Sequence, residues 1–181
     1  MSLNAIFVEG MDCVGKSTII KDIMLSHEFY HHFEFPKGDS IEEKYGYQHG
    51  QFEMMFQMLN ACKYSNNEDY IFFDRSHIGE YIWGPTFRNR FPMYLTALEH
   101  KYKNLSAMVV LLINNNLDEI AQRFEERGEK MPDNWKELQD KFLLAVKTIT
   151  PFRYNIIDTT NKTLNQIKEE LETAIEDSMN K

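Results

Sequence analysis

With 181 residues, 43% hydrophobic and 27% charged, the chain has ordinary soluble globular composition and the length for one domain with a substantial core. Lys and Arg number 20 against 28 Asp and Glu, and the net charge of −8 argues against a general nucleic-acid partner, while a local cluster of cations remains able to serve a small anionic substrate. No apolar run approaches the length of a bilayer, no secretory signal pattern opens the chain, and two cysteines make no disulfide framework, so a reduced, cytoplasmic setting with no membrane contact is expected.

Residues 5–8 form a short apolar, β-prone run, and behind it comes Gly10-Met11-Asp12-Cys13-Val14-Gly15-Lys16-Ser17-Thr18. This is the pattern Gly-x-x-x-x-Gly-Lys-[Ser/Thr] of a phosphate-binding loop. Two glycines let the backbone of Gly10, Asp12, Cys13, Val14 and Gly15 fold around an anion, and the helix that follows adds its positive end. Lys16 reaches outer phosphates as a compact cation, and the Ser17 hydroxyl suits one position on Mg²⁺. Ser17 to Leu25 reads as the amphipathic helix this context requires. A bound nucleoside triphosphate is the expectation.

His31 to Pro36 reads as a second strand closed by proline, with a turn at Lys37-Gly38-Asp39. The adjacent histidines alternate faces and lack a nearby cysteine, so a metal pair is not expected there. Lys37 follows a strand end, where α/β folds place ligands, and reads equally as a solvated turn lysine. Residues 47–64 carry Phe52, Met55, Phe56, Leu59 and Cys62 at helical spacing. Most of that stripe is expected in the core, with Phe52 or Phe56 a candidate to stack on a base. The same helix offers an apolar face to a second copy, and the sequence leaves dimerisation open.

Tyr70 to Phe73 is a buried-strand signal that ends in Asp74-Arg75. In a parallel sheet this edge lies beside the phosphate loop, so Asp74 is placed to hold Mg²⁺ and Arg75 to bridge phosphates. The alternative is an Asp–Arg pair capping the next helix. Residues 76–84 read as a short helix with Tyr81 and Trp83, and Phe91 to Tyr102 as another. Arg88-Asn89-Arg90 is a compact basic patch, for an anionic substrate or merely solvated.

Ala107 to Ile113 is the clearest buried strand, and the helix beginning at Leu117 leads into Arg123, Arg127, Gly128 and Pro132. Two arginines four apart share one helical face before a segment broken by Gly and Pro, the makings of a mobile cationic lid at about 123–134. Charge pairing of Arg123 and Arg127 with Glu126 and Glu129 is the plainer reading. A helix from Trp135 to Ile149, a strand from Tyr154 to Asp158 and a helix from Leu164 to Met179 complete the chain. Alternating strands and helices predict an α/β protein with a parallel sheet of about five strands, helices on both faces, and a single domain.

Set side by side, these motifs resemble those of thymidylate kinases. Glu9-Gly10-Met11-Asp12 before Gly15-Lys16-Ser17-Thr18 is similar to that family's Glu-Gly-x-Asp-x-x-Gly-Lys-Ser-Thr loop, Asp74-Arg75 to its Asp-Arg-[aromatic] motif, and Arg123-x-x-x-Arg127-Gly128-Glu129 to its lid. Ile157-Asp158-Thr159-Thr160 also fits. The resemblance implies a P-loop kinase fold that moves the γ-phosphoryl of ATP, with Mg²⁺, to a deoxynucleoside monophosphate. It further implies that Lys16, Ser17 and Thr18 hold ATP phosphates and Mg²⁺, and that Asp12 holds the acceptor sugar or orders the loop. Arg75 would bridge donor and acceptor, and Arg123 or Arg127 would close over the transferring group.

The departures fall on the acceptor side. Ser76 replaces an aromatic, Lys37 stands in for a phosphate-binding Arg, and Tyr81-Ile82-Trp83-Gly84 replaces an Ala-Tyr-Gln run. Cys13 sits where one branch of the family carries a loop arginine, so the lid arginines would supply the positive charge. Asp-Arg-Ser also resembles the Glu-Arg-Ser of deoxynucleoside kinases, which deprotonate a 5′-hydroxyl; Glu34 is the candidate base for that chemistry. A third reading is an ATP-binding module without kinase activity.

Overall fold

Every residue of β1 (Ala5–Gly10) is buried, so the strand needs cover on both faces and partners on both edges. The computed structural model, which describes residues 5–27, 30–34, 41–64, 70–89, 91, 93–103 and 105–179, supplies both. β1 pairs in parallel with β3 (Tyr70–Asp74) on one side and β4 (Ala107–Ile113) on the other. β2 (Tyr30–Glu34) extends the sheet beyond β3, and β5 (Arg153–Asp158) extends it beyond β4. The result is five parallel strands in the order β2-β3-β1-β4-β5, the architecture and strand number read from the sequence.

The helices are α1 (Lys16–Met24), α2 (Ile41–Tyr64), α3 (His77–Arg88), α4 (Tyr94–Tyr102), α5 (Leu117–Glu126), α6 (Trp135–Thr148) and α7 (Leu164–Met179). α1 packs on β1, β3 and α7, whereas α3 lies on β1, α6 lies on β4, and the two helices pack together. Right-handed crossovers explain the division. The chain leaves β1 toward β2 with α1 on one face, then crosses from β3 to β4 in the opposite sense with α3 on the other. That reversal opens a crevice beyond the C-terminal ends of the central strands. Beneath it, Phe7 packs between Phe73 at 5.3 Å and Phe152 at 5.4 Å, and Trp135, Tyr102 and Phe142 are also fully buried.

Two helices run further than expected. α2 begins at Ile41, six residues before the expected start at 47, where Gly46 and several charges hide the helical pattern. α3 reads through Gly84-Pro85 to Arg88 and stops at Asn89, whose left-handed φ of 47° lets its N–H return to the Gly84 carbonyl. Phe91 and Met93, expected in a helix, precede α4. Among the described residues no helix is long and apolar enough to cross a membrane.

Candidate active site

The phosphate loop begins where β1 ends. Gly10 has a φ of 138°, and a Cβ there would lie 2.4 Å from the Leu112 carbonyl oxygen of β4, so only glycine fits. Cys13 and Gly15 also take positive φ values, 68° and 101°, curling the chain into a concave turn. α1 opens on Gly15 with no side-chain cap, which leaves its first amides and its positive end for an anion.

Four consecutive loop carbonyls are held by side-chain donors. Lys16 Nζ donates to Gly10 at 2.9 Å and Met11 at 2.7 Å, the Trp135 indole N–H approaches Asp12 at 3.4 Å, and Arg123 Nη1 donates to Cys13 at 2.8 Å. Lys16 is buried, and burial together with the nearby Arg75 guanidinium lowers its pKa to about 8. Arg127 donates from Nη1 to the Cys13 sulfur at 3.4 Å and from Nη2 to Glu129 at 3.0 Å. Burial pushes the Cys13 thiol up, and Arg127 opposes that rise. Arg123 pairs with Glu119 as well. The charge pairing expected from the sequence is present, with Glu119 rather than Glu126 as the partner of Arg123 and Glu129 as the partner of Arg127.

The end of β3 supplies the opposite wall. Ser17 Oγ donates to Asp74 Oδ2 at 2.5 Å, while Asp74 Oδ1 is buried with no hydrogen-bond partner among the described residues. Arg75 leaves the strand with a φ of 80°, and its guanidinium pairs with Asp12 at 2.7 Å. Asp12, Cys13, Val14, Gly15, Lys16, Ser17, Thr18, Asp74, Arg75, Arg123 and Arg127 thus line one cavity of about 650 Å³. Leu112 and Glu126 line it as well, as do Lys162 and two apolar residues of the last helix, Leu164 and Ile167.

Other expected site residues lie elsewhere. Phe56 packs 6.0 Å from the Tyr102 ring with Lys101 over its face, Phe52 is buried, and neither lines the cavity. Tyr81 packs against Phe91, with ring centroids 5.9 Å apart, outside the cavity, its hydroxyl pushed up to about 12 by burial and by Glu99. Arg88 forms an ion pair with buried Glu80, which corrects its reading as part of a surface basic patch. Lys37 and Arg90 lie outside the described residues. Glu34 stands in β2 in register with Asp74, so its backbone reaches the same sheet edge.

Several contributors escaped the sequence reading. Trp135 passed for a helix starter, and Leu164 and Ile167 for core of an amphipathic helix. Glu9, 1% exposed, accepts bonds from the Ser76 N–H, the Ser76 hydroxyl and the Gly79 N–H at the start of α3. Burial raises its carboxyl above the ordinary value, against the opposing pull of Ser76, Lys16 and Gly79. Asn114, Asn115 and Asn116 tie β4 to the turn after β5: Asn115 donates to Asp158 at 2.9 Å and Asn114 to Thr159 at 3.2 Å. The Asp158 carboxyl, held by Thr160 and Asn115, sits below its ordinary value.

No protein-family model and no curated protein matches this sequence. Solved structures do. Thymidylate kinase from Candida albicans superposes with a TM-score of 0.63 at 18% identity, covering 97% of this chain and 92% of that one. The YorR protein of Bacillus subtilis, solved with phosphorylated GDP, gives 0.66 at 20% identity over 96% of each chain. Deoxyadenosine kinase from M. mycoides, solved with dCMP and dCDP, gives 0.62 at 17% over 96% of this chain and 99% of that one. The likeness is one of fold: the chain has the P-loop kinase fold that its motifs implied.

Proposed function

We propose that this chain transfers the γ-phosphoryl group of Mg·ATP to a deoxynucleoside monophosphate, dTMP or a relative of it, to give the diphosphate. The observation that carries this reading is the convergence of the phosphate loop, the Ser17–Asp74 pair, Arg75 and both lid arginines on one cavity of about 650 Å³. That volume suits a nucleotide-sized ligand. Phosphoryl transfer needs positioning and charge neutralisation more than covalent chemistry, and these residues supply both.

The loop amides and Lys16 receive the β- and γ-phosphates, and Leu164 and Ile167 offer the base an apolar surface. Arg75 stands where a fork of donors can span two phosphates. Arg123 and Arg127, already on the loop at Cys13, neutralise charge on the transferring group. The partnerless Asp74 Oδ1 and the adjacent Ser17 hydroxyl fit a magnesium ion, which demands few protein ligands. When bound it supplies charge neutralisation between the β- and γ-phosphates. Among the described residues no cluster of His, Cys, Asp and Glu offers a closed metal cage, in keeping with a cation shared with substrate phosphates. A monophosphate acceptor is already ionised at neutral pH, so no strong base is needed.

The register of Glu34 opposite Asp74 favours one second reading, a deoxynucleoside kinase in which Glu34 takes the 5′-hydroxyl proton. ADP release from Mg·ATP, measured against deoxy- and ribonucleosides and their monophosphates, separates the two. Turnover with monophosphates supports the proposal. Turnover with nucleosides alone, lost by about 10²-fold or more in Glu34→Gln, replaces it with the second reading. ATP binding without acceptor-dependent turnover overturns both.

A further inference from the structure

We infer that Glu9 is a positioning residue for Arg75: its buried carboxylate clamps the first residue after Arg75, which holds Arg75 in a left-handed backbone and aims its guanidinium at the phosphate cavity. This rests on the proposed role of Arg75 as the bridge between phosphates and adds the residue that keeps the bridge in place.

Three observations carry it. Arg75 has a φ of 80°, a conformation unfavourable for any residue with a Cβ and one that persists only where its surroundings over-determine it. Those surroundings are visible on both sides of the residue. The N–H of Arg75 donates to the Val8 carbonyl of β1 at 3.0 Å. On its other side, Ser76 gives both its N–H, at 2.6 Å, and its hydroxyl, at 2.5 Å, to Glu9 Oε1. The Gly79 N–H joins the same oxygen at 3.3 Å, so Glu9 also anchors the first turn of α3. A Cβ on Gly79 would lie 3.4 Å from Glu9 Oε2 and 3.3 Å from Trp83, showing how closely the helix start is drawn onto the strand.

Packing alone does not call for a carboxylate here. Position 9 pairs in register with Leu111 inside a sheet of Ala, Ile, Phe, Val, Met and Leu, where an apolar residue would be cheaper to bury. What the carboxylate adds is an acceptor strong enough to hold several donors at a helix N-terminus. The outcome is that Arg75 remains 45% exposed on the cavity wall, in contact with Asp12, although its neighbours Asp74 and Ser76 are buried.

A double-mutant cycle between Glu9→Gln and Arg75→Ala tests this, read as kcat/KM for the acceptor and KM for ATP. Glu9→Gln keeps the shape and weakens the clamp. The expected result is a loss of about tenfold in kcat/KM for the acceptor, with KM for ATP changed less than about twofold, and little further loss when Arg75 is already Ala. An equal loss in both backgrounds, or none in either, overturns the inference. Should Glu9→Gln not fold, Ser76→Ala removes the hydroxyl donor alone and takes its place in the cycle, with a smaller expected loss and the same non-additivity. If the wild-type chain turns over no acceptor, the proposed reaction fails, and the clamp is judged from a crystal structure of Glu9→Gln. Relaxation of Arg75 to negative φ with loss of the Asp12 contact upholds it; an unchanged Arg75 overturns it.

Discussion

Arg123 donates from Nη1 to the carbonyl oxygen of Cys13 at 2.8 Å, so α5 is fastened to the phosphate loop itself. Arg123→Ala is expected to lower kcat by about 10³-fold with a small effect on KM for ATP. Arg127→Ala, whose side chain is 48% exposed against 32% for Arg123, is expected to cost about tenfold. Steady-state kinetics checks both, and equal losses would place the two arginines in the same role.

Lys16 carries a pH signature. Its pKa falls from an ordinary 10.5 to about 8 because burial disfavours its charge. Below pH 8 the lysine is charged in both folded and unfolded chains, and the fold bears the full burial cost. Between pH 8 and 10.5 the unfolded state binds more protons, so that cost fades as pH rises. Lys16→Met is accordingly expected to abolish turnover yet stabilise the ligand-free fold at pH 7 by up to about 3 kcal/mol, read by urea unfolding. Bound phosphates would restore the lysine's charge, so ATP binding at pH 8 is expected to take up protons. Calorimetry in buffers of different ionisation enthalpy measures the uptake.

The two loop glycines differ. Gly10→Ala meets the Leu112 carbonyl oxygen at 2.4 Å in addition to its positive φ, and a loss of about 3 kcal/mol or more is expected. Gly15→Ala finds open space and meets only backbone strain, about 1–2 kcal/mol. Denaturation midpoints give the order.

Arg88 and Glu80 form an ion pair in which the side chains are 14% and 3% exposed, and burial raises the Glu80 carboxyl. Removing one partner strands the other. Arg88→Met is expected to destabilise the fold by about 3–5 kcal/mol without changing KM, and adding Glu80→Gln should recover most of that. A raised KM at unchanged stability would instead make Arg88 a substrate ligand.

Asp74→Asn leaves the Ser17 contact an acceptor but removes the charge a cation requires. The magnesium concentration for half-maximal rate is expected to rise by about tenfold or more. A magnesium titration reads it directly.

Much of this was legible in the sequence because the chemistry is local. Gly10, Gly15, Lys16 and Ser17 lie within one turn of chain, and Asp74-Arg75 marks the end of an apolar run whose place beside β1 follows from parallel topology. Arg123 and Arg127 announced themselves by helical spacing. What stayed hidden depends on distance in sequence. Glu9 looks like one more residue before a glycine until Ser76 and Gly79 fold back onto it, and Trp135 meets Asp12 across more than a hundred residues. Arg88 misled because proximity to Arg90 suggested a surface patch, whereas a helix through Pro85 carries it onto Glu80. Aromatic spacing alone could not separate Phe56 in packing from Phe56 at a base.

The most direct test is the identity of the product. Phosphorus NMR of a reaction containing Mg·ATP and a deoxynucleoside monophosphate follows where the transferred group arrives. The account predicts a new phosphoanhydride, a coupled pair of resonances from a deoxynucleoside diphosphate that grows as ADP appears and is absent in Lys16→Met. Inorganic phosphate alone, or transfer only to the 5′-hydroxyl of an unphosphorylated nucleoside, would contradict it.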